Sequence, residues 1–104
     1  MDTYYIYILT SRHHKYISIN VTGELHAAIQ NQRKRVSRSL KRKRVYQKLV
    51  YVEAVKGVDS AVHRHHQLRN FDHLKLVRLI ESVNPCWDGI SLSALSKSGY
   101  SHMR

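Results

Sequence analysis

Residues 32 to 44 read QRKRVSRSLKRKR, eight Lys or Arg with no acid among them. Like charges at that density repel one another. The stretch is therefore expected as a loop or a frayed helix end in the free chain, held against phosphates when a polyanion is bound. Any core has to come from the apolar patterns on either side of it.

Those patterns alternate in kind. TYYIYILTS is dense in Tyr, Ile and Leu, which suit a strand. In KYISINV the residues Ile17, Ile19 and Val21 fall on one face and Tyr16, Ser18 and Asn20 on the other. SRHHK between them is a polar connection of hairpin length. Thr22 is placed to cap a helix running through Ala28 and Ile29 to about Arg33. Beyond the basic stretch, VYQKLVYVEAV reads as a third strand. A helix carrying Val62 and Leu68 follows Gly57, with Asp59 as its expected N-cap. Asp72 caps a last helix, and Phe71 and Leu76 are spaced as a hydrophobic staple. Leu74, Leu76, Val77, Leu79, Ile80 and Val83 give that helix its apolar face, and Pro85 ends it. The order β-β-α-β-α-α predicts an α+β fold, a small three-stranded antiparallel sheet flanked by helices. It forms one domain over residues 1–90, with a Ser-rich, flexible tail over 91–104.

The totals narrow the function. Eighteen Lys and Arg against seven Asp and Glu give a net charge of +11 with histidines neutral. That balance points to a polyanionic partner. No apolar run reaches membrane-spanning length, and the N-terminus lacks the basic region of a signal peptide. The single cysteine, Cys86, excludes an internal disulfide and fits an intracellular, cytoplasmic setting. Beside Trp87 and Pro85 it is expected to be packed.

Five stretches resemble one known family. YYIYIL, VTGELHAAI, KLVYVEAV, AVHRHHQLRNF and LIESVNPCWDG occur in order. They are similar to small standalone GIY-YIG domains, the excision-nuclease-like relatives of the UvrC N-terminal domain. Gln67-Leu68-Arg69 and Asn84-Pro85-x-Trp87 are the most specific, because helical periodicity does not demand them. The resemblance implies the GIY-YIG fold. It also implies metal-dependent cleavage of phosphodiester bonds, with four side-chain roles. A first-strand Tyr helps deprotonate water, a second Tyr opens the YIG motif, a helix Arg steadies the phosphate charge, and a Glu holds a divalent metal.

Carried over residue by residue, the resemblance finds one of the four. Tyr7 stands at the first-strand Tyr. Ser18 stands at the second Tyr in the gapless frame, Ala28 at the Arg and His65 at the Glu. A slipped frame would read Tyr16-Ile17-Ser18 as YIG, at the cost of two extra residues before VTGEL. Ala28 has nothing to donate to a phosphate, and His65 offers nitrogen where Mg prefers oxygen. Loss of one such donor costs on the order of a hundredfold in rate.

The sequence therefore leads to a GIY-YIG-like domain that binds nucleic acid, catalytically impaired or inactive. Its contacts are Arg33, Lys34, Arg35, Arg38, Lys41, Arg42, Lys43 and Arg44 on the phosphate backbone, of DNA in the first instance. No cofactor is expected; Mg or Mn would be needed if cleavage survives. Two alternatives stay open. One is an active endonuclease with replacements from Arg33 or Arg35 and from His65, Glu24 or Glu53. The other is a protein-interaction or inhibitor module. Lys48, Arg64, Arg69, Lys75 and Arg78 are candidates to widen the basic surface. Tyr7 is the candidate to stack on a base or touch a phosphate, and His13, His14, His26, His63, His65 and His66 are candidate metal or pH-sensing groups.

Overall fold

The computed structural model describes residues 2–38, 46–91 and 102–103. Its elements are β1 (Thr3–Ser11), β2 (Ile17–Thr22), α1 (Leu25–Arg38), β3 (Tyr46–Lys56), α2 (Val58–Arg69) and α3 (His73–Val83). β1 lies between β2 and β3 and runs antiparallel to both. This is the α+β arrangement and element order expected from the sequence. Beside β3 the two-residue β4 (His102–Met103) pairs parallel to Glu53 and Ala54. The expected flexible tail lies otherwise almost wholly outside the described residues.

Strand alternation divides the core into two sides. Tyr5, Tyr7 and Leu9 of β1 turn toward α1, where Leu25, Ile29, Leu49 and Val52 complete a cluster. Ile6 and Ile8 turn the other way, onto α2 and α3. There Val55, Ala61 and Leu68 form one cluster and Val50, Tyr51, Leu76, Ile80 and Trp87 another. The register slips between Ile8 and Leu9. That irregularity is why neighbouring Val50 and Tyr51 can both join the α3 side.

Asp72 caps α3 as its sequence implies, its side chain accepting from Lys75 N at 2.8 Å. Phe71 and Leu76 join the same cluster. Four local expectations are corrected. First, α1 does not end near Arg33 but runs to Arg38. Arg and Lys are good helix formers, and cations in a last turn are favoured by the helix dipole, so backbone preference outweighs charge repulsion there. Second, α2 is capped by Gly57 at φ 87°, with Asp59 inside its first turn. A glycine reaches that φ without strain, so the helix can start before the acid. Third, Leu74 is 58 % exposed, because it falls on the side of the helix away from the stripe formed by Leu76 and Ile80. Fourth, Cys86 is exposed, since Trp87 takes the buried position after α3.

Candidate nucleic-acid interface

Tyr7 sits mid-strand on the α1 side, opposite Asn20 of β2 and Val52 of β3. It is 9 % exposed and packs in the cluster that Ala28 of α1 covers. Ser18 is one pleat along, opposite Leu9. Asn20 Nδ2 donates to Ser18 Oγ at 3.0 Å and to Ser18 O at 3.2 Å, so the two polar side chains hold each other beside Tyr7. Tyr7, Ser18 and Ala28 are thus brought to one side of the sheet by β1, β2 and α1. The alternative frame fares differently. Tyr16 lies before β2, in the hairpin connection, where its N–H donates to Ser11 Oγ and its carbonyl accepts from Ser11 N.

α1 carries the first part of the basic stretch on its C-terminal half. Arg33 and Lys34 are exposed, and Arg35 and Arg38 are helical positions. Helical rise puts position 35 about 10 Å along the axis from position 28, two turns on and on nearly the same side. Lys41, Arg42, Lys43 and Arg44 lie outside the described residues.

His65 belongs to α2 and is not free to act alone. Its Nε2–H donates to the Ile19 carbonyl of β2 at 3.1 Å, which ties the helix to the edge strand. Of the replacement carboxylates, Glu24 is exposed and its N–H donates to Thr22 Oγ1. Glu53 is 0 % exposed and already engaged. Tyr51 Oη donates to it at 2.6 Å, and Arg64 Nε and Nη2 donate at 2.8 and 3.1 Å. A hard divalent cation needs several converging oxygens. These residues do not fit one: His65 offers nitrogen, Glu53 is sealed, and among the described residues no three His, Cys, Asp or Glu converge.

Arg64 corrects the expectation that it would widen the basic surface. It is buried, and besides Glu53 it donates to Gln67 Oε1 at 2.8 Å. Burial alone would lower its pKa, but the bonds to Glu53 more than reverse that and hold it above the ordinary value. Burial and Glu53 together push the Tyr51 hydroxyl well above the usual tyrosine range. The group was foreshadowed by one signal, an acid in the otherwise apolar run LVYVEAV, which requires a buried partner. Beside it a cavity of about 450 Å³ is lined by Val55, Asp59, Ser60, His63, Arg64 and Gln67. Arg69, Lys75 and Arg78 remain exposed, Lys75 lying 4.6 Å over the Phe71 ring.

The histidines disperse. His26 is exposed on α1, His63 and His66 are exposed on α2, and His13 is exposed on the hairpin. His14 is partly buried and stacks on Trp87 at 4.6 Å between ring centroids. Lys48 Nζ lies 3.2 Å from His14 Nε2. Neither contact could be read from spacing, because the sequence offers no periodicity linking the hairpin to the segment after α3.

No family model matches the chain, and neither a curated protein nor a solved structure matches it.

Proposed function

We propose that this chain is a nucleic-acid-binding domain of GIY-YIG-like type that has lost its cutting chemistry. It holds the phosphate backbone through the cationic half of α1 and the basic segment after it. The observation that carries the reading is on the α1 side of the sheet. Ala28, a side chain with no donor, packs in the Tyr7 cluster, while the same helix goes on to Arg33, Lys34, Arg35 and Arg38. A surface of that kind attracts a polyanion but offers little to a developing phosphorane charge. With no base-reading motif in the sequence, contact is to phosphates and sequence preference is small. DNA is the first partner to test.

The experiment is binding and cleavage on one sample. Labelled single-strand, duplex and branched DNA are mixed with the protein in EDTA, Mg or Mn at several salt concentrations. Binding survives EDTA and no strand is cut. If about five phosphates are engaged, log affinity falls against log salt with a slope of about −4.5 on duplex. Metal-dependent cutting that Tyr7→Phe abolishes would overturn the reading in favour of an endonuclease with an atypical site. Absence of both binding and cutting would overturn it in favour of a protein-interaction module.

A further inference from the structure

At the hairpin end of the sheet, two residues are held in backbone conformations that their side chains disfavour. His14 has φ 62° and Trp87 has φ 57°. Left-handed backbone is uncommon outside glycine and rare for a bulky residue, so the surroundings must fix it. They do. His14 N donates to Ser11 O at 2.9 Å, and Ser11 N donates to Tyr16 O at 3.0 Å, which closes the turn. Trp87 N donates to Asn84 O at 3.0 Å, and Trp87 Nε1 donates to Glu81 at 2.8 Å. Asn84 in turn donates to Val50 O and to Asp88 O. The two strained residues meet in the stack, and β3 brings Lys48 onto Nε2 of His14.

This corner carries more cations than acids. Arg12, His13 and Lys15 are exposed on the same turn. Among the described residues no carboxylate pairs with Lys48, the ion pair found there being Arg64 with Glu53. Of the nearby acids, Glu81 accepts from Trp87 Nε1, and Asp88 follows Trp87 in an exposed position. Lys48 can only donate, so in this arrangement His14 Nε2 accepts and the imidazole is neutral. Burial, Lys48 and His13 all act in that direction, lowering the His14 pKa. A protonated His14 would place two cations 3.2 Å apart unless an anion came between them.

The geometry points to a phosphate-binding corner formed by His14 and Lys48 and backed by Trp87, at the hairpin end of the sheet. A single phosphate group accepts from Lys48 Nζ and from protonated His14 Nε2. Arg12 and Lys15 are further cations on the same turn, Lys15 lying 5.5 Å over the Tyr16 ring. Trp87 belongs to the α3-side cluster and not to that of Tyr7. In a nucleic-acid binder the corner gives a second hold on the backbone; that biological meaning rests on the function proposed above, whereas the binding chemistry does not.

The test follows the His14 ring by NMR on the full chain. Its titration is recorded in chloride and in inorganic phosphate at equal ionic strength. Phosphate raises the His14 midpoint by half a unit or more, equivalent to about threefold tighter binding by the protonated form, while His66 and His73 move less. Lys48→Gln removes the extra shift. His14→Asn, which tolerates the left-handed backbone, weakens phosphate binding about tenfold in phosphorus NMR without needing the ring signal. A His14 midpoint that moves no more than that of His73, or phosphate binding unchanged by His14→Asn, overturns the proposal. Because the probe is phosphate alone, such a failure leaves nucleic-acid binding by α1 to its own test. A positive corner in a protein that binds no nucleic acid would instead remove the proposed function.

Discussion

On the α2 and α3 side of the sheet, Ile6, Ile8, Leu68 and Ile80 are 0 % exposed, and a buried Tyr51–Glu53–Arg64 group ties β3 to α2. On the α1 side the cluster formed by the described residues is smaller. It mixes Tyr7 with aliphatic residues beside the polar pair Ser18–Asn20, and the helix that covers it goes on to Arg33 and Lys34. The first side withdraws Glu53 and Arg64 into its core, whereas the second leaves Arg33 and Lys34 exposed. The contrast separates a buried pair that holds the molecule together from cations left to meet a partner, and substitutions on the two sides should fail in different ways.

The largest effect belongs to the buried group. Arg64→Met strands Glu53 without its cation, and removing one partner of such a pair costs about 3–5 kcal/mol. Denaturant unfolding of this variant should show it, and adding Glu53→Gln should return much of the loss. If Arg64→Met unfolds like the parent, the group does not carry this side of the sheet. Core truncation ranks next. Ile80→Ala on the α3 side should cost about 2–5 kcal/mol, and Ile29→Ala on the α1 side should fall at the lower end of that range, where Ala28 and the helix surface leave room to relax.

A smaller effect appears at high pH. The folded-state pKa of Tyr51 is raised, so the unfolded chain loses the proton first. The stability this group contributes is therefore complete below about pH 10 and is lost as pH rises beyond that. Thermal melts at pH 8, 10 and 11 check the sign, and Tyr51→Phe should flatten the alkaline decline. Asp72→Ala removes the α3 cap and should cost about 1 kcal/mol. Least of all for stability, Arg33→Gln with Lys34→Gln should change unfolding by less than about 0.5 kcal/mol. The same pair should reduce the salt slope of DNA binding by up to about 1.8 if both contact phosphates. A double variant that unfolds early but binds as before would reverse the assignment of the two sides.

The resemblance placed Tyr7, Ser18 and Ala28 on three elements, and the strands and α1 do bring them to one side of the sheet. His65 was placed on α2, but its tie to the Ile19 carbonyl could not be foreseen, since a hydrogen bond to an edge strand depends on how the helix seats. Arg64 was read as a candidate to widen the basic surface. Its partner is eleven residues earlier, on a strand.

The sequence by itself determined the order of elements. Strand alternation, the Asp72 cap and the stop after Val83 act over a few residues, and local backbone chemistry suffices for them. It also determined the excess of positive charge, a sum that no folding changes. Only the tertiary structure decided which charges are spent and which remain. Glu53 and Arg64 are withdrawn into the core, Lys48 is set against His14, and His14 is stacked on Trp87. Each of these pairings joins residues from different elements, and their strength depends on burial and distance, which exist only once the sheet and helices have packed.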